Sequence, residues 1–244
     1  DYFDHTSGTD EANYNYMVPF SGGSRSIQMG LISAKGMLYL SIATFAIGGL
    51  IGIPLIDKAG INILYLGFIG FLSGFFYTAP PFRFASRKGL GELLIGLNFG
   101  PLMAAGSFLV QTSGDITYLN DAILAGIPIG LLVAAIVYVN QFPDHDGDKA
   151  TGKNNLVVVF GPEKARLGYV FLVVGAFVSI IVMALNGTFP KLSLIALPAA
   201  YFGIRAIQTL YKYYNDRLLI PANSGTINMH LVAGLLFCIG IWLG

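Results

Sequence analysis

LNDAILAGIPIGLLVAAIVYVNQ, at 119–141, runs without a break into FPDHDGDKATGK at 142–153. No residue from Ala122 to Val139 is charged. A bilayer core takes ~20 mostly apolar residues per helix, so the first part reads as a membrane span. The second part then places Asp144, Asp146 and Asp148 at one face of that membrane. Asp144 and Asp148 are four apart, which puts them on one helix face if the helix continues through Pro143 or resumes after it.

Six more stretches have the same character, at 34–56, 60–79, 90–111, 165–186, 191–212 and 222–244. Turn residues separate them, among them Asp57-Lys58-Ala59-Gly60, Pro80-Pro81, Ser113-Gly114-Asp115 and Asn186-Gly187. Composition agrees with seven spans. The chain is 55% hydrophobic and only 11% charged, against about 25% charged in a soluble domain. Too few solvating side chains are present to cover a water-facing surface, so the expected solvent is lipid. A formal net charge of +1 carries no excess of Lys and Arg for a nucleic-acid footprint. The single cysteine, Cys238, excludes an internal disulfide. The expected fold class is therefore all-α, a polytopic transmembrane bundle, with residues 1–244 forming one domain. Asp1 opens directly into a polar motif, without an initiator Met or an apolar leader. The expectation is a chain lacking an N-terminal piece that held at least one further helix.

Orientation follows from the distribution of Lys and Arg. Alternating the seven spans puts Arg25, Lys35, Arg83, Arg87, Lys88, Lys149, Lys153, Lys164, Arg166, Lys212 and Arg217 on one side. Only Lys58 and Lys191 fall on the other, and Arg205 lies inside the sixth span. The richer side is expected to be cytoplasmic.

The acidic residues obey a different rule. Of 13 Asp and Glu, seven lie in two clusters on that same side: Asp1, Asp4, Asp10 and Glu11, then Asp144, Asp146 and Asp148. Crowded carboxylates raise one another's pKa, and a divalent cation removes the conflict. Hard oxygen donors select Mg²⁺ or Ca²⁺, and Mg²⁺ commonly takes one or two carboxylates, water and substrate phosphate oxygens. Arg25, Arg83, Lys149 and Lys153 stand beside the clusters and would neutralise remaining phosphate charge. A transporter is the rival from another class, but transporter sites lie near the midplane on broken helices, and these acids sit at one face. A second rival is another Mg²⁺-dependent membrane transferase acting on a nucleotide-linked lipid precursor. Gly89-x-Gly91 precedes an apolar helix rather than following a strand, so it reads as a turn and not a nucleotide loop.

DYFDHTSGTDEANYNY at 1–16 and NQFPDHDGDKATGK at 140–153 resemble the paired Asp-rich signatures of the UbiA superfamily of intramembrane prenyltransferases. FSGGSR, YTAPPFRF and GELLIGLNFGP, between them, resemble its dihydroxynaphthoate (menaquinone-pathway) branch. The resemblance covers nearly the whole chain. It implies nine helices around a cavity, a polyprenyl diphosphate at the cytoplasmic mouth, and a prenyl tail among the helices. It further implies two Mg²⁺ ions held by Asp1, Asp4, Asp144 and Asp148. Asp10 takes the place of the family's third acidic position, six residues after Asp4 rather than four. Asn140 corresponds to an Asn supporting a metal-bound water or phosphate oxygen. Tyr77 and Arg83 resemble the Tyr and basic residue that contact diphosphate, here with Arg where many relatives have Lys. The implied reaction ionises the allylic C–O bond, joins the prenyl carbon to an aromatic acceptor, and removes a ring proton by a base, with Asp146 and His145 both open as that base. Dihydroxynaphthoate is the first acceptor, with hydroxybenzoate and a lipid alcohol as alternatives. The implied location is a prokaryotic cell membrane.

Overall fold

The structure is a computed structural model describing residues 1–244. It is 77% helical and contains no strand. Two short helices, α1 (Tyr2–Thr6) and α2 (Thr9–Ala12), precede the first span. The spans begin with α3 (Ala34–Ala59) and α4 (Ile61–Thr78). The third is composite: α5 (Leu90–Leu97), a π-turn at Asn98–Leu102, and α6 (Met103–Gln111). Next come α7 (Leu119–Ala150), a short α8 (Leu156–Phe160) and α9 (Pro162–Leu185). A 3₁₀ segment at Lys191–Ala199 leads into α10 (Ala200–Tyr213), and α11 (Ile220–Leu243) closes the chain.

Seven of these units are long and apolar enough to cross a membrane, matching the seven stretches read from the sequence. The main difference lies in the fourth. Its apolar stretch stops near Gln141, but α7 runs through Pro143 to Ala150. Proline removes one backbone donor and crowds the carbonyl four residues back; flanking hydrogen bonds carry the helix across. In the third span Pro101 sits within the π-turn, a geometry often found where a helix absorbs an irregularity. Asn98 holds that turn by donating from Nδ2 to the Leu94 carbonyl at 2.8 Å and accepting at Oδ1 from the Ser73 hydroxyl at 2.9 Å.

The core lies between α7, α9, α10 and α11. Leu132, Tyr138, Val139, Tyr169, Met229 and Phe237 are almost completely buried in it. The third span joins α7 through small residues rather than large ones. A Cβ on Gly100 would stand 2.6 Å from the Gly130 Cα, and one on Gly126 would stand 2.6 Å from the Gly100 carbonyl carbon. Only glycine lets two backbones approach that closely, the device membrane helices use where lipid gives no hydrophobic drive to associate. On α3 the opposite holds: Leu40, Ile42, Phe45, Leu50 and Ile51 are all exposed. An apolar surface of that extent belongs against hydrocarbon, and the protein is an integral membrane protein.

Candidate functional site

The continuity of α7 through Pro143 decides the site. Asp144 and Asp148 fall one helical turn apart, on the face that receives the N-terminal segment. Gly147, between them, permits the approach: a Cβ there would stand 2.8 Å from both Cα and Cβ of Asn13. From this position Asn13 donates through Nδ2 to Asp144 Oδ1 at 2.5 Å, and the Gly22 backbone N–H donates to Asp144 Oδ2 at 3.3 Å. Two motifs 131 residues apart thus meet at one end of the bundle.

Asp148 is only 2% exposed. Its Oδ2 accepts from Asn155 Nδ2 at 2.7 Å, and its Oδ1 lies 3.4 Å from Lys153 Nζ. Asn155 also caps α8, accepting at Oδ1 from the Val158 N–H at 3.0 Å. One side chain therefore both starts that helix and orients the aspartate. Burial works against the Lys153 ammonium, yet the Asp148, Asp4 and Asp144 carboxylates outweigh it and raise its pKa above the ordinary lysine value. Lys153 pairs with Asp148 of the second motif and is within electrostatic range of Asp4 in the first.

In the first motif, Asp1 precedes α1 and accepts from the Ser24 hydroxyl at 2.6 Å. Asp4, in the first turn of α1, makes no side-chain hydrogen bond or ion pair. Asp10 is nearly buried and accepts from Gln28 at 3.3 Å. Burial first, and then the Asp4 charge, push its carboxyl above the usual range. Glu11 pairs with His5 at 2.5 Å.

The remaining expected residues divide. Tyr77, half-buried at the end of α4, is within electrostatic range of Lys153, Asp4 and Asp148. Arg83 has a left-handed backbone, φ 45°, and a side chain without a hydrogen bond. Arg25 donates to the Asp10 carbonyl and lies over the Tyr16 ring at 4.3 Å. Asn140, one turn before Asp144, accepts from Asn223 Nδ2 of α11 at 2.8 Å. Lys149 is exposed and unpaired. His145 and Asp146 bond each other at 2.8 Å and line a polar cavity of about 470 Å³ whose lining includes neither Asp144 nor Asp148.

Three polar residues escaped the sequence reading as participants. Asn13 and Asn155 have side chains that any loop could carry, and only the fold aims them at Asp144 and Asp148. Glu92, in the first turn of α5, is 5% exposed and accepts at Oε1 from the Leu156 N–H at 2.9 Å. With the Lys88 N–H donating to the Asn154 carbonyl at 2.7 Å, it ties the loop after α7 to the start of the third span.

No three of these carboxylates converge tightly enough to form an all-protein metal cage. The donor set is nonetheless hard oxygen throughout, with Asp4 free of partners. It fits a cation held by one or two carboxylates and completed by water and phosphate oxygens.

The UbiA prenyltransferase family pattern matches residues 2–243. Among characterised proteins, the chain is 27% identical over 251 residues to "1,4-dihydroxy-2-naphthoate octaprenyltransferase" of Escherichia coli (strain K12), covering 100% of this chain and 78% of that protein. It is 24% identical to the protein of the same name in Bacillus subtilis (strain 168), covering 99% and 74%. It is 22% identical to "2-carboxy-1,4-naphthoquinone phytyltransferase" of Synechocystis sp. (strain ATCC 27184 / PCC 6803 / Kazusa), covering 100% and 76%. No solved structure shows significant similarity to the chain. The match over almost every residue, on a bundle whose two acidic motifs meet at one end, identifies the chain as a member of the UbiA prenyltransferase family and a membrane prenyltransferase.

Proposed function

We propose that the protein transfers the prenyl group of a polyprenyl diphosphate to 1,4-dihydroxy-2-naphthoate, with divalent metal, at the cytoplasmic face of a prokaryotic cell membrane. The observation carrying this reading is the meeting of the two motif-bearing segments at Asn13 and Asp144, with Lys153 against Asp148 beside them. The names of the relatives support the naphthoate acceptor, and family members are in general divalent-metal dependent.

Asp1, Asp4, Asp144 and Asp148 would hold two Mg²⁺ ions, with Asp10 as a further acid beside Asp4. Bound metal would supply positive charge opposite the diphosphate oxygens. Lys153, beside Asp148, with Tyr77 at the end of α4 and Arg83 in the loop after it, would contact the diphosphate. Asn140 lies on the same face, while Arg25 and Lys149 would have to leave their present surroundings to join it. Lys153 and Arg83 offset charge on the diphosphate as the allylic C–O bond breaks and its electron pair leaves with oxygen. A ring carbon of the acceptor then bonds to the allylic carbon, and the proton it carried passes to a base, for which Asp146 and His145 both stay open. Apolar helix walls keep water from the cationic carbon.

The test uses purified protein in detergent, labelled polyprenyl diphosphates of several lengths, and either 1,4-dihydroxy-2-naphthoate or 4-hydroxybenzoate. Product should form with the naphthoate, vanish with chelator and return with Mg²⁺. Asp144→Asn and Asp148→Asn keep shape but remove charge, and each should lower turnover by at least about 100-fold, the scale of losing one transition-state charge contact. Asp121→Asn, at the opposite end of α7, should leave it within about twofold, the small effect usual for a substitution away from any buried network. Full turnover in excess chelator would refute the metal reading, and exclusive use of 4-hydroxybenzoate would refute the acceptor.

A further inference from the structure

Glu92 is used by the acidic cluster only indirectly, and half of its carboxylate is unexplained. Oε1 holds the Leu156 N–H, but Oε2 is buried and has no partner. A buried acceptor left unmade costs ~1–3 kcal/mol, so its persistence calls for a ligand or water. Glu92 lines a second cavity, of about 420 Å³, bounded by α5, α7 and α9. The space far exceeds the ~30 Å³ of one water. Its walls are otherwise apolar, with Leu97, Leu131, Leu172 and the rings of Tyr138 and Phe171 among them. It opens sideways: Leu93, Leu97 and Phe171 at its rim are 57%, 41% and 74% exposed, toward the surface assigned to lipid.

We propose that this cavity is a lipid-facing binding site for a hydroxylated aromatic molecule, whose hydroxyl donates to Glu92 Oε2 while its rings lie against the apolar walls. An apolar volume of several hundred cubic ångströms with very few polar groups is the usual form of a small-molecule site. The polar group stands at the end near Gly89 and Leu156, and the apolar depth extends toward Pro101 and Ile127. A molecule entering from the bilayer would therefore keep its hydroxyl near the interface. Glu92 holds the N–H of Leu156, the residue after Asn155, and Asn155 bonds Asp148, so the cavity borders the acidic cluster without belonging to it. The inference rests on the proposed aromatic acceptor and assigns the place where that class of molecule is taken from the membrane. A lipid alcohol has the same donor on an apolar body and is the competing source.

Equilibrium dialysis with the full chain in lipid nanodiscs separates them, using tritiated 2-naphthol and empty discs as the blank. Saturable binding of one naphthol per chain is expected. Glu92→Gln keeps an oxygen for the Leu156 N–H but turns the other position into a donor that cannot accept from the hydroxyl; the dissociation constant should rise about tenfold, the scale of one lost hydrogen bond. Leu172→Trp fills the cavity without touching Glu92 and should abolish binding; it decides the matter if Glu92→Gln does not fold. 2-Methoxynaphthalene, lacking the donor, should not compete, and farnesol should compete at least tenfold less well than unlabelled 2-naphthol. Unsaturable binding, unchanged affinity in both variants, or equal competition by the methyl ether overturns the proposal. Better competition by farnesol assigns the cavity to lipid alcohols and overturns it as well. The assay requires no turnover, so a negative result beside normal prenyl transfer removes this inference alone.

Discussion

Gly147→Ala tests whether contact between the two acidic motifs positions the reacting groups. The added methyl would stand 2.8 Å from Asn13 Cα and Cβ and 3.1 Å from its backbone nitrogen. Carbon atoms settle at ~3.5–4.0 Å, so the segment carrying Asn13 must retreat by about 1 Å. The Asn13–Asp144 hydrogen bond, now 2.5 Å, would open to roughly 3.5 Å, past the useful N–H···O range. A hydrogen bond to a charged group contributes ~1.5–3 kcal/mol, and a displacement of ~1 Å at reacting groups can cost on the order of 100-fold in rate. Alanine is meanwhile a better helix residue than glycine by ~1 kcal/mol, so α7 itself should be no weaker. The expected outcome is a drop in diphosphate release of about 30- to 100-fold with unchanged far-ultraviolet circular dichroism and a monodisperse elution profile; this scale is that of the misplacement above. Asn13→Ala, which removes the hydrogen bond without steric pressure, should fall in the same direction. A Gly147→Ala enzyme within twofold of the parent would show that the motifs need not touch for turnover.

Lys153→Met removes the cation paired with the buried Asp148. Losing one partner of a buried charge group costs about 3 kcal/mol or more, so the variant should melt lower in chelator and gain more from added Mg²⁺ than the parent does; equal Mg²⁺-induced shifts in a thermal melt would count against shared occupancy of that space. Topology is open to single-cysteine labelling in a Cys238→Ser background: a cysteine at Ser113 should react with impermeant reagent only from the outside, and one at Lys149 only from the cytoplasm. The reverse pattern would invert the assigned orientation.

Much of the fold was legible because membrane spans announce themselves locally. Lipid offers no hydrogen bonds, so each span must be a continuous helix of apolar residues, and seven such runs can be counted without knowing how they pack. The spacing of Asp144 and Asp148 likewise needs only helical periodicity. The sequence could not say whether Pro143 ended that helix, because its tolerance depends on hydrogen bonds either side and on packing against α2 and α8. Nor could it pair Asn13 with Asp144 or Asn155 with Asp148. Those contacts join residues 131 and seven positions apart; the first depends on how closely backbones pass at Gly147, which is set by tertiary packing, and the second on the turn that leads from α7 into α8. Arg25 and Lys149 make the same point in reverse. Each stands next to an acidic motif in the chain, yet one is held by Asp10 and Tyr16 and the other faces outward. Proximity in sequence places a charge at the correct membrane face; the direction of its side chain is decided by the neighbours that fill the other directions. Glu92 is the clearest case, an ordinary helix-end acid by composition whose burial beside an apolar cavity exists only once α5, α7 and α9 are assembled.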